Sequence, residues 1–130
     1  MHPELLTLVP RDKHDLHNAN AVVALGWPAV EPIASQLMEW VQDSNWPVAQ
    51  VLAPFLATVG SELAPHVRQV LGTSDDTWKY FVIQDVVARS SELARALQAE
   101  LRRLALEPTP SERTQEVDLV ARAALEQLER

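Results

Sequence analysis

The sequence predicts an all-α protein, a right-handed superhelix of about three helical hairpins with a closing C-terminal helix, about seven helices in all. Three observations carry this expectation. Apolar residues recur with the helical period along almost the whole chain. Residues that start and stop helices stand at the ends of those stripes. Several short markers also return at a spacing of 30 to 34 residues.

The stripes run in order. Leu16, Ala19 and Val23 form a first, weak one that stops at Gly26. Val30, Ile33, Leu37 and Val41 form the second, with Trp40 at its edge. After Pro47, the residues Val48, Val51, Leu52, Phe55, Leu56 and Val59 trace one helix face up to Gly60. Pro54 lies inside that stripe, where it removes a backbone bond and predicts a kink. Pro65 opens a shorter stripe through Val67, Val70 and Leu71. The segment Trp78 to Ile83, "WKYFVI", has strong β propensity. No second convincing strand exists to pair with it, so it is read as a central helix, apolar nearly all round. Leu93, Leu97, Leu101 and Leu104 follow, then Val117, Val120, Ala121, Ala124 and Leu128. Before the last stripe, "TPSE" at Thr109 to Glu112 reads as a capping box with proline at the first helical position.

The markers define a repeating unit. "SELA" occurs at Ser61 and again at Ser91. An aspartate, two residues and then a tryptophan occur at Asp43–Trp46 and Asp75–Trp78, and Pro32 pairs with Pro65 as Gly26 does with Gly60. One domain of 130 residues is expected, with an N-terminal segment at 1–12, hairpins at 13–42, 43–73 and 74–106, and the closing helix at 110–130. Each hairpin has two apolar faces and buries both only between neighbours. In the N-terminal segment, Leu5, Leu6, Leu8 and Val9 favour docking over a loose tail.

Composition bounds function. The net charge of -7 leaves no basic footprint for nucleic acid. Without cysteine, disulfides, thiolate catalysis and thiolate metal sites are excluded. No apolar run approaches the roughly 20 residues of a membrane span, and no signal segment is visible, so a cytoplasmic location is expected. Phosphate loops, nucleophile elbows and the HExxH metal motif are all missing.

The stretches "EWVQDSNWPVA", "DDTWKYFVI" and "EPTPSERTQEVD" resemble, in order and spacing, a bacterial family known as domain of unknown function 5071. The resemblance runs from Lys13 to about Leu125. It implies a small all-helical, HEAT-like fold and no particular activity. By analogy with HEAT-type repeats, it implies a module that binds protein.

Eight residues form the candidate site: Glu39, Trp40, Asp43, Trp46, Asp75, Asp76, Trp78 and Lys79. On one reading the aspartates, with Ser44, Asn45, Ser74 and Thr77, cap helix starts while the indoles fill gaps between hairpins. On the other they line up along one edge as carboxylates and rings that grip a cationic partner. Lys79, in a mostly apolar helix, is expected either to snorkel to solvent or to pair with a carboxylate such as Asp43 or Asp85. Asp43 and Asp76 together would serve a hydrolase as acid and base. His14 and His17 could face a metal from one helix but lack designated further ligands, and are read as surface histidines. Gln36, Arg68, Gln69, Arg95 and Gln98 fall on the second helices of the hairpins, and glutamates 112, 116, 126 and 129 on a solvated helix. The expectation is therefore a non-catalytic, cofactor-free binding module for a basic protein partner, in the manner of an adaptor, an immunity protein or an antitoxin. A small hydrolase or metal-dependent enzyme is the competing expectation.

Overall fold

Every apolar stripe carries an α-helix, because each has one face to bury and a neighbour to bury it against, although Val30 and Val41 lie outside theirs. The computed structural model describes residues 3–129. Among the described residues there are ten α-helices, three short 3-10 turns and no strand. The helices are α1 (Pro3–Leu6), α2 (Leu16–Leu25), α3 (Ala34–Met38), α4 (Pro47–Ala57), α5 (Ala64–Leu71), α6 (Asp76–Asp85), α7 (Ser91–Ala96), α8 (Gln98–Leu106), α9 (Pro110–Thr114) and α10 (Val117–Leu128). The 3-10 turns span Glu31–Ile33, Gly60–Leu63 and Val87–Arg89.

Ten helices replace the seven expected because α1 is added and two long stripes are divided. The stripe through Leu93 and Leu104 breaks at Leu97, where ψ swings to 14°. That break removes no residue from the register, so Leu93, Leu97, Leu101 and Leu104 all remain buried. The closing helix divides at Glu116, which adopts left-handed φ 62°. No glycine marks that position, which is why the sequence did not show it. At Gly26 and Gly60 the positive φ that a helix stop requires is present, 77° and 81°. "WKYFVI" lies within α6, with Val82 and Ile83 fully buried.

Helices α2, α4, α6 and α10 lie side by side, each packed on the next, while α3 packs on α5. The two "SELA" segments touch. The 3-10 turn at Gly60–Leu63 packs on α7, Ser61 Oγ donates to Glu92 Oε1 at 2.8 Å, and Leu63 and Leu93 are both fully buried. Ser35 reaches Gln69, and Arg68 pairs with Glu100 at 2.8 Å, so polar links join α3 to α5 and α5 to α8. Leu5, Leu8 and Val9 dock against a smaller core of Ala19, Val22, Val30, Ile33, Leu37, Val48 and Leu52, whereas Leu6 stays exposed. A larger core fills the rest of the molecule, and Trp27 and Phe55 touch both.

Candidate functional site

The loop from Val41 to Asn45 sets the geometry of the first tryptophan pair. Val41 is fully buried, Ser44 Oγ donates to Asp85 Oδ2 at 2.5 Å, and the Asn45 amide donates to Asp43 Oδ1 at 2.8 Å. The loop is thus tied at three points. Trp40 at its entry and Trp46 at its exit meet edge to face, with ring centroids 5.8 Å apart and planes at 63°. The two rings border an open groove of about 350 Å³ whose other walls are Val9, Pro10, Gln36, Glu39 and Gln42. Glu39, exposed at the end of α3, is the charged group among these described lining residues.

Trp78 approaches the same helix end from the other side. Its Nε1 donates to the Met38 carbonyl at 3.0 Å, and it borders a second groove of about 220 Å³ with Glu39, His66 and Gln69. Glu39 therefore stands between the two grooves, with Trp40 and Trp46 on one side and Trp78 on the other. Both junctions converge on the C-terminal end of α3, although they are not equivalent in register. Asp75 is the N-cap of α6 and accepts from the Trp78 amide at 3.1 Å. Asp43 caps no helix; the N-cap of α4 is Trp46 itself, followed by Pro47.

Asp76 and Lys79 turn inward instead. Lys79, 5% exposed, pairs with Asp76 at 2.9 Å and Glu112 at 3.0 Å. These partners replace the expected Asp43 and Asp85, which are held by Asn45, Ser44 and Gln84. The reason is geometric. Asp76 lies one helical turn before Lys79, and α9 brings Glu112 over the same spot. Glu112 is 2% exposed and not a solvated residue as its helix pattern implied. Its carboxylate closes the capping box on the Thr109 amide at 2.9 Å and accepts both Arg103 nitrogens, at 2.6 and 3.0 Å. Ser111 Oγ donates to Asp76. Two acids and two bases cancel, which buried charges require.

The titration of this cluster follows. The Arg103 guanidinium, against the opposing effect of burial, holds Glu112 down at about 2, with help from the Thr109 amide and Lys79. The Ser111 hydroxyl, more than Lys79, lowers Asp76 below the ordinary carboxylate range. Burial pulls Lys79 down, but its bonds to Asp76 and Glu112 outweigh that and raise it. All three groups are pushed away from neutrality, the opposite of what proton transfer at neutral pH needs. Asp43 and Asp76, paired in the hydrolase expectation, belong to separate networks.

The remaining candidates are scattered. His14 and His17 are exposed beside a shallow concavity with Asp12 and Asp15. Asp15 caps α2, and the Arg11 amide is the main cause of its lowered pKa. Among the described residues no cluster of three or more His, Cys, Asp or Glu has metal-binding geometry. Gln36 joins the Trp40 groove, Arg68 and Gln69 are engaged in the links of α5 to α8 and α3, and no described helix is long and apolar enough to cross a membrane.

Comparison with known families places the whole of this geometry in one group. The model of the family described as Domain of unknown function (DUF5071) matches residues 8–125. The chain belongs to that family. No curated protein matches it. The DUF5071 match takes in both tryptophan junctions and the buried ion cluster, and leaves α1 outside. Within this DUF5071 chain, Arg103 and Glu112 are the members of the cluster that sequence reasoning missed. One signal pointed to them: a lysine in a mostly apolar helix demands a buried carboxylate, and the capping-box glutamate had no other use for its second oxygen.

Proposed function

We propose that this chain is a non-catalytic protein-binding module of the bacterial cytoplasm, built from HEAT-like stacked hairpins. It takes a basic segment of a partner protein into the groove at Glu39, Trp40 and Trp46. The side-by-side packing of α2, α4 and α6, the contact of α3 with α5, and the touching "SELA" segments support the stacked reading. A single observation carries the binding reading: two indoles held edge to face by a tied loop, with an exposed carboxylate as their charged neighbour. An arginine side chain lies flat on one ring while its guanidinium meets Glu39, combining cation–π attraction of about 0.5–2 kcal/mol with an ion pair. The net charge of -7 draws such a partner in from a distance. Covering a basic partner in this way is what an immunity protein or antitoxin does.

The test is a titration of tryptophan fluorescence with an arginine-rich peptide, beside an uncharged peptide of equal length. Affinity is expected to fall steeply with salt, and Glu39→Lys to weaken it about tenfold, equal to ~1.4 kcal/mol. Glu39 is exposed, so the variant folds. Equal affinity of wild type and Glu39→Lys, or of the two peptides, would sink the proposal.

A further inference from the structure

The outward face of the layer formed by α2, α4, α6 and α10 differs from the rest of the surface. Among the described residues, the exposed positions of α2 are Leu16, His17, Asn20, Val23, Ala24 and Leu25. Those of α4 are Gln50 and Pro54, and those of α6 are Thr77 and Gln84. None of these is Asp, Glu, Lys or Arg, although such residues make up 22% of the chain, whereas α10 exposes Arg122 and Glu126 beside Leu119, Ala123 and Gln127. Between these ridges lie half-buried Val51, Phe55, Tyr80 and Phe81, the last two meeting edge to face at 5.4 Å. The face continues into a groove of about 350 Å³ between α6 and α10, where Tyr80 and Gln84 oppose Leu119, Ala123 and Gln127. Leu119 is 49% exposed, and of the described residues lining this groove Glu116 alone is charged.

We infer that this face, uncharged over α2, α4 and α6, is where two copies of the chain associate about a two-fold axis. Charge selects the occupant. A basic partner is drawn to carboxylates, and an anionic membrane or nucleic acid to lysine and arginine; α2, α4 and α6 expose neither, and the one exposed arginine and one exposed glutamate of α10 cancel. A second copy carries the same charge of -7, so two copies approach closely only where neither presents charge. Depletion of charge at the centre, with aromatic rings and a polar rim, is also the composition of an interface core. The area suffices. Four adjacent helices roughly 9 Å apart and about 16 Å long project on the order of 600 Å². That approaches the roughly 800 Å² each partner contributes to a standard interface. The Trp40 groove lies at the end of α3, so a dimer formed here leaves it free for the proposed basic segment.

The experiment is the solution mass of the full chain, by sedimentation and light scattering from micromolar to hundreds of micromolar. The wild type is expected to pass from monomer to dimer mass. Pro54→Glu/Ala123→Glu, both at exposed positions, is expected to stay monomeric with unchanged circular dichroism. Mixing it with Pro54→Lys/Ala123→Lys should restore dimer mass. Glu39→Lys should dimerise like wild type, which separates this inference from the binding proposal. A wild type that remains monomeric throughout, or a dimer that the acidic variant forms equally well, overturns it.

Discussion

At the scale of single residues, Glu112 decides most. It holds Lys79, Arg103 and the Thr109 amide with one carboxylate, and is nearly inaccessible to water. Its folded-state pKa of about 2 lies below the ordinary 4.5. In the window between these values the unfolded chain binds the proton and the folded chain does not, so stability rises with pH. The contribution is complete above pH 4.5 and lost as pH falls toward 2. By linkage it is worth about 3 kcal/mol. Asp76, lowered for a similar reason, adds to the same acid loss, whereas raised Lys79 loses its contribution only in strong alkali. Glu112→Gln is therefore expected to cost about 3 kcal/mol at pH 7, by leaving Lys79 and Arg103 short of negative charge. It should also flatten the stability profile between pH 4.5 and 2. Urea unfolding at several pH values checks both. An unchanged acid slope would mean that Glu112 is not the group responsible.

At the scale of elements, the two tryptophan junctions look alike in sequence and differ in the fold. The repeat of aspartate and tryptophan has a spacing of 32, yet α4 begins at Pro47 and α6 at Asp76, three residues out of step. Proline explains the offset. Pro47 takes the first helical position, so Trp46 must be the N-cap and Asp43 is stranded in the loop. In α6 no proline intervenes and Asp75 caps directly. Asp75→Ala is expected to cost about 1 kcal/mol. Asp43→Ala should stay within about 0.5 kcal/mol. Thermal unfolding of the pair measures the difference, and equal costs would refute the offset. Much of the architecture was legible for the same kind of reason: Gly26, Gly60, the capping box and the apolar stripes each act within one turn of chain. The closeness of Trp40 to Trp46 was legible too, since both end one short loop. The breaks at Leu97 and Glu116 carry no local signal. Nor does the burial of Glu112, which depends on α9 landing beside Lys79, thirty-odd residues back in the chain.

At the scale of the whole molecule, the core is divided. The smaller cluster joins α2, the turn before α3, Leu37 of α3 and the first half of α4. The larger one runs from Met38 and the second half of α4 through α5, α6, α7 and α8 to α10. Phe55 and Trp27 are the described side chains packed against both, and Phe55 stands on α4, which like α3 contributes residues to the two. Where two clusters share side chains, cooperativity resides in such contacts, so weakening one loosens the coupling as well as the stability. Two natural probes report on the halves, Trp40 packed against the smaller cluster and Trp78 against the larger. With the other tryptophans replaced by phenylalanine, both are expected to follow one urea transition in the otherwise wild-type chain. Phe55→Ala, at a half-buried site, should remove about 2 kcal/mol. It should also move the Trp40 transition to lower urea than that of Trp78, because the smaller cluster has less apolar surface of its own to fall back on. If the two probes still coincide in Phe55→Ala, coupling runs through other contacts, with Trp27 the first to replace.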